Sequence, residues 1–336
     1  MKKVIFLAIA AAAALTACSK SEVVDSKFNE QISFETYLGR DAQTKGAIIN
    51  TTNITGVKVY GYYTGNDPWT SETEANLWTD GLNLTFTEGQ LNQPTKNDVR
   101  YWANDTDKYT FLAYAPYDND NLTVSGTKNP TLTYSVDTDF TKHVDVLVAN
   151  PRVEGDKNID RTKGTVNLKM EHKLARLTVK TNVTGNGPFT FHIKNISLAG
   201  KFNTSGTLAL ADPKTWTAKS ADATYVFASS TEKASTENAL PATYDYATED
   251  KGYMMMIPVD ATTHNAVLTV AYTTFDATAN MESRVYTQTY NVTNDFVMGK
   301  AYAIQLDFVN DATVINFNVI VDDWGSENEV EITPAA

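Results

Sequence analysis

The sequence reads as an all-β protein built from antiparallel β-sandwiches, and three observations carry that reading. Short runs rich in Thr, Val, Tyr and Phe recur along nearly the whole chain. Gly, Asn, Asp or Pro punctuate them at short intervals, and no long amphipathic helical period separates them. Many short strands with turn signals suit two-layer antiparallel packing better than alternating strands and helices.

The N-terminus stands apart from this pattern. "MKK" is a positive n-region, and Val4 to Leu15 form an apolar h-region too short to cross a bilayer. Leu15-Thr16-Ala17-Cys18 then resembles the bacterial lipobox and contains the only cysteine of the chain. Residues 1–17 are therefore expected to be a lipoprotein signal peptide, with Cys18 acylated after the cut as a stable membrane anchor. Ser19, where an aspartate would retain the protein, points to the outer membrane and the cell surface. Residues 18–30 are polar and unpatterned and read as a flexible tether.

The strand runs begin at "ISFETYL" and continue through "GVKVYGYY", "NLTFT", "KYTFLAYAPYD", "TLTYSV" and "VDVLVANP" to "GTVNLKM". Two strand patterns meet around Glu171-His172-Lys173, which places a boundary between an N-terminal sandwich domain at 31–171 and a C-terminal one at 172–336. The second set comprises "ARLTVKT", "FTFHIKNISLAG", "GYMMMIPVD", "AVLTVAYTTF", "RVYTQTYNV" and "AYAIQLDFV". Residues 229–250 are poor in apolar residues and read as a long loop. Near the C-terminus Ile315, Phe317, Val319 and Val321 alternate in a last strand, followed by Asp322-Asp323-Trp324.

A net charge of −12 and a pI near 4.8 speak against nucleic-acid binding, which needs clustered Lys and Arg. His143, His172, His192 and His264 are scattered without metal-ligand spacing, and no zinc, P-loop, dinucleotide or nucleophile-elbow motif occurs. The acidic groups "NDTD", "YDNDN", "VDTD" and "VDDW" do not complete a calcium loop and read as turns. The residues thus support neither an enzyme nor a cofactor or metal site. Trp69 and Trp78 bracket "PWTSETEANLW" and could offer stacking faces to a glycan, against the more common role of indoles in core packing.

Several stretches in order resemble the fimbrillin family, the type V pilus subunits of Gram-negative anaerobes. They are the lipobox, "ISFETYLGRDAQTKGA", "VKVYGYYTG", "YWANDTDKYTFLAYAPYD", "VNLKMEHKLARLTVK", "YMMMIPVD", "MGKAYAIQLDF" and "VINFNVIVDDW". The resemblance implies two transthyretin-like sandwich domains, exported as a lipoprotein. It further implies that a protease removes the lipid-bearing N-terminal segment with its first strand, and that a strand of another pilin subunit fills the groove left behind, head to tail. On this chain the removed segment would include "ISFETYL", with Ile32, Phe34 and Thr36 in the groove. The cut would fall in "GRDAQTKGA", after Arg40 or after Lys45, the position that best matches the family pattern. The donor strand would come from "VINFNVIVDDW" or from the tail "ENEVEITPAA". The function implied is a structural subunit or adhesin of a surface pilus, whose adhesin form would meet a host or bacterial surface receptor. The alternative is a surface lipoprotein, anchored in the outer membrane through lipid on Cys18, that binds glycan through Trp69 and Trp78.

Overall fold

The computed structural model describes residues 30–38, 55–87, 90–103, 106–139, 142–149, 164–247, 252–309 and 315–324. In chain order its strands are β1 (Phe34–Leu38), β2 (Gly56–Gly65), β3 (Leu82–Thr87), β4 (Gln90–Leu91), β5 (Lys108–Ala115), β6 (Leu122–Ser125), β7 (Thr131–Ser135), β8 (Leu147–Ala149) and β9 (Val166–His172). They continue with β10 (Ala175–Thr184), β11 (Phe189–Ala209), β12 (Thr217–Ser229), β13 (Thr243–Asp245), β14 (Met254–Met256), β15 (Val267–Asp276), β16 (Met281–Glu282), β17 (Tyr286–Asn291), β18 (Lys300–Val309) and β19 (Ile315–Asp323). The protein is all-β, and its helical content among the described residues is confined to short turns such as Ala261–His264.

The first sheet runs β1-β9-β8-β5-β2-β3-β4. Its central strand β5 is buried on both faces, as its near-continuous apolar sequence "YTFLAYA" requires. Phe111, Ala113 and Ala115 point into one apolar cluster with Val57, Val59, Leu82 and Leu84, while Leu112 and Tyr114 point into another with Tyr60 and Tyr62. The period of two along each strand therefore sorts one sheet onto two cores.

A second sheet joins β13 and β14 to β10, then β18 and β19. The third is organised by β11, whose 21 residues bond to β12 along one edge. Its other edge pairs first with β15, over residues 189–199, and then with β7, over residues 205–209. Strand β11 thus ties the hairpin of β6 and β7 to strands from the second half of the chain. Leu208 and Leu210 enter the same cluster as Leu132 and Tyr134. A separate cluster fills the space between the second and third sheets, with Leu177, Ile196, Leu198, Leu268, Ile304 and Phe308 among its members.

Most ladders are antiparallel, as the turn-rich sequence predicts. Two are not: β1 runs parallel to β9, and β10 runs parallel to β18 over nine residue pairs from Arg176↔Ala301 to Thr184↔Val309. Parallel neighbours need a long connection between them. Both pairs have one, since well over a hundred residues separate each strand from its partner.

The joint between chain halves is polar as well as apolar. His143 is 5% exposed, its Nε2 lies 2.6 Å from the Asp137 carbonyl oxygen, and its Nδ1 accepts the Met255 N–H at 2.9 Å. Nδ1 must be unprotonated to accept that bond, so the ring is neutral. Burial depresses the His143 pKa, with the Asp137 contacts opposing the shift, and burial does the same for His192. Since the folded form binds its proton less readily than the unfolded chain, this contribution to stability is complete above pH 6.5, the usual histidine value, and is lost as pH falls below it toward the depressed folded value. The melting temperature should therefore decline between pH 7.5 and 5. The decline should be smaller in His143→Gln, measured by circular dichroism; an equal slope in both proteins would remove His143 from the account.

Candidate functional site

The start of strand β1 and the two residues before it form the alternating run Ile32-Ser33-Phe34-Glu35-Thr36, and alternation decides what each residue does. Ile32 and Phe34 are completely buried, Ser33 and Thr36 are half-buried, and Glu35 is exposed. The Phe34 ring packs edge-on to Phe111, centroids 5.4 Å apart, and tilted against Trp78 at 6.0 Å. Trp102 belongs to the same cluster, edge-on to Tyr109 at 4.8 Å. The first strand thus supplies two side chains to the middle of a core built by β2, β3, β5 and β9.

Its backbone is held along both edges. On one side the parallel ladder runs from Phe34↔Val166 to Leu38↔Met170, preceded by a 2.9 Å bond from the Val166 N–H to the Ser33 carbonyl. On the other, the segment 93–102 serves as a partner. The Ile32 N–H donates to the Arg100 carbonyl (2.9 Å), the Trp102 N–H donates to the Glu30 carbonyl (3.1 Å), and Gln31 Nε2 donates to the Pro94 carbonyl (2.9 Å). Phe34 itself is met there by a side chain: its N–H donates to Gln93 Oε1 (2.9 Å) and its carbonyl accepts from Gln93 Nε2 (2.7 Å). Strand β1 therefore closes the first sheet, bridging the free edge of β9 to residues that follow β4.

The wall opposite β9 is stiffened by Arg100 and Trp78. Arg100 donates to the carbonyls of Leu77, Asn97 and Val99, and its guanidinium lies 5.9 Å from the Trp78 ring centre. Trp78 Nε1 donates to the Asp98 carbonyl at 2.9 Å. The indole packs closely against Gly61, where any Cβ would sit 2.7 Å from Trp78 Cζ3. Glycine is the residue that permits this approach.

This geometry sets Trp69 and Trp78 on different faces of the sheet. Trp78 is 5% exposed and forms the wall of the β1 groove, so it has no face to offer a sugar. Trp69 lies on the other face of the sheet, edge-on to Tyr62 at 5.7 Å, against the second core. Cys18, Arg40 and Lys45 lie outside the described residues.

The chain's last described strand, β19, forms the edge of the second sheet, antiparallel to β18 from Lys300↔Asp323 to Phe308↔Ile315. Ile315 is buried, while Phe317 and Val319 are half-covered, with Phe317 stacked on Tyr290 at 4.9 Å. Trp324 finishes it by stacking on His172 at 4.0 Å and 12°, with the Arg176 guanidinium 5.3 Å away. His172 Nδ1 in turn meets buried Asp145 Oδ2 at 2.7 Å. His172 is also the last residue of β9, so one strand touches both the β1 ladder and the end of β19.

The site is structural in kind: an all-β sheet is completed along the edge of β9 by β1, the first described strand of the same chain, with no catalytic constellation assembled around it among the described residues. Sequence comparison narrows this class. Residues 43–324 match the fimbrillin-like family, and the chain belongs to that family. A fimbrium subunit, Fim1C of Phocaeicola vulgatus, is 26% identical over 244 residues, a match spanning 65% of this chain and 63% of the relative. Among solved structures, a fimbrial protein from Bacteroides vulgatus superposes with TM-score 0.63 at 18% identity, covering 88% of this chain and 100% of that one. A putative cell adhesion protein from Bacteroides ovatus gives 0.52 at 16% identity, over 89% and 99%. These likenesses establish the fold.

Emptying the Phe34 site should be expensive because its cavity is walled by rigid rings. Phe34→Ala is expected to lose about 3–5 kcal/mol in urea unfolding. Glu35→Ala, one residue along on the solvent side, should stay within about 0.5 kcal/mol.

Proposed function

We propose that this chain is a structural subunit of a cell-surface fimbria, exported as a lipoprotein through Cys18 and assembled by strand exchange. Proteolysis after Arg40 or Lys45 separates β1 from the rest of the chain. Its departure leaves the apolar slot of Ile32 and Phe34 and the unpaired edge of β9, and a strand from the next copy repairs both at once. Such a contact is heterologous and does not close on itself, so it propagates as a filament.

The observation that carries this reading is the position of β1. It is the first described strand, it buries Phe34 completely as the residue two before it, Ile32, is buried, and it pairs in parallel with a strand more than a hundred residues away. Nothing in that arrangement requires the strand to belong to the same polypeptide. A candidate donor lies in the chain itself, provided β19 leaves its ladder with β18: Ile315-Asn316-Phe317-Asn318-Val319 repeats the order of Ile32-Ser33-Phe34-Glu35-Thr36, isoleucine, polar, phenylalanine, polar, β-branched. The tail "ENEVEITPAA" is the other candidate, with Val330 and Ile332 two residues apart.

Mass spectrometry of surface fractions should find a mature N-terminus at Asp41 or Gly46, and denaturing gels should show ladders that collapse to monomer on heating. Substituting both Arg40 and Lys45 by Ala should abolish the ladder and leave an acylated monomer. A surface product uniformly acylated at Cys18 and monomeric without any substitution would rule out this assembly route.

A further inference from the structure

The two edges of β1 are gripped by different chemistry. Toward β9 the partner is a strand; toward β4 no strand among the described residues pairs with Phe34, and the Gln93 amide does. A primary amide carries the same donor and acceptor as a peptide unit, so Oε1 and Nε2 give Phe34 the pair of bonds that a hydrogen-bonded antiparallel neighbour would exchange with it. The opposite assignment of the amide would set oxygen against the Phe34 carbonyl, which fixes its orientation. A third contact, from Nε2 to the Leu91 carbonyl at 3.3 Å, anchors the side chain to the end of β4. Gln93 is itself largely exposed, and its bonds to β1 both go to main-chain atoms.

The residue these bonds hold is also the one whose ring enters the cleft between Trp78 and Phe111. Position and identity are thereby read by separate groups. Gln93 is indifferent to the side chain at that place, while the cleft of rings is not. The distance from Phe34 back to buried Ile32 fixes the second apolar site two residues earlier.

We propose that Gln93 is the positioning residue of this groove: it sets the register of an extended segment seated beside β9 by pairing with both main-chain groups of the residue whose side chain fills the Trp78–Phe111 cleft. The segments so accepted carry a large aromatic residue there and a branched aliphatic residue two positions before it. The inference rests on the exchange reading given above, because a groove that never changes occupant has no register to choose. It extends that reading by naming what the incoming strand must present. A second copy offering Ile315 and Phe317 meets the rule, and one offering Val330 and Ile332 lacks the ring.

The test uses the full chain with a specific protease site placed between residues 39 and 54, so that cleavage leaves β1 seated without a covalent link. Release of the labelled N-terminal piece is followed during competition with excess peptide of residues 30–38, beside amide exchange at Phe34 and the urea midpoint of the uncut protein. Gln93→Ala should speed release by roughly tenfold, the effect of losing two neutral hydrogen bonds. It should also unprotect the Phe34 amide and lower the urea midpoint of the uncut protein by the modest amount that the same tenfold loss implies. The same acceleration should appear when Phe34 is replaced by Leu, because the bonds are to the main chain. Gln93→Glu keeps an acceptor for the Phe34 N–H and loses the donor, and should fall between the two. Competitor peptides with Ala in place of Phe34 should displace the strand far more slowly than the native peptide. An unchanged Phe34 amide in Gln93→Ala, or an acceleration that vanishes in the Phe34→Leu background, would overturn the proposal. A cleaved wild-type protein that never exchanges its strand would instead defeat the exchange reading, and the Phe34 amide would still decide the role of Gln93.

Discussion

The structure depends on a sheet that cannot be left open. Strand β9 presents a free edge at the end of the first sheet, beside a core lined by Trp78, Trp102 and Phe111, and β1 covers both. Burying side chains such as Ile32 and Phe34 is worth about 1.5–3 kcal/mol each. Every ladder bond that β1 makes also spares a buried donor or acceptor from going unmatched, which is the larger liability of the two. A strand with this role stabilises the first sheet strongly, and under the proposed exchange any replacement would have to offer the same shape.

The rest of the molecule fixes the walls of that slot. Strand β11 crosses from β15 to β7, so the hairpin behind the first sheet is held by residues from the second half of the chain. At the other end of β9, His172 connects Asp145 to Trp324, and Trp216 donates its Nε1–H to the neighbouring Lys173 carbonyl at 2.7 Å. Asp145 Oδ1 has no hydrogen-bond partner among the described residues, so this carboxylate is held through Oδ2 by His172. The edge that receives β1 is consequently continuous with the stack that ends β19.

Much of this was legible in the sequence because it rests on alternation. The run Ile32-Ser33-Phe34-Glu35-Thr36 announces a strand with one buried face, and the structure buries Ile32 and Phe34 accordingly. Its direction was not legible, since parallel pairing is decided by β9, far along the chain. Strand β12 escaped because its first eight residues, "TAKSADAT", lie at an edge largely exposed, with apolar alternation emerging only at Tyr225 and Phe227. The full length of β11 escaped for another reason. Gly200 reads as a turn, yet it sits mid-strand because a Cβ there would lie 2.6 Å from the His264 carbonyl oxygen. Trp69 and Trp78 look equivalent in sequence and were separated by which face of β2 each one covers. Gln93 gave no signal at all, because a side chain that pairs with main chain leaves no periodic trace.

The proposed assembly also explains why a cut must precede exchange. While β1 is tethered to its own domain it competes for the groove as an intramolecular ligand, at an effective concentration of order millimolar for a short linker. A donor on another molecule, offering the same isoleucine and phenylalanine spacing, gains no contact that β1 lacks, so it cannot win against that advantage. Cleavage would remove the tether and leave the described contacts of β1 in place, and the two strands would then compete on affinity and on their concentrations alone. A released β1 diffuses away, whereas a donor strand that belongs to a neighbouring subunit remains close to the groove through the surfaces around it. The direction of assembly is thereby set by connectivity rather than by a better fit. The groove accordingly needs only to hold its occupant in one register and needs no preference between near-identical strands.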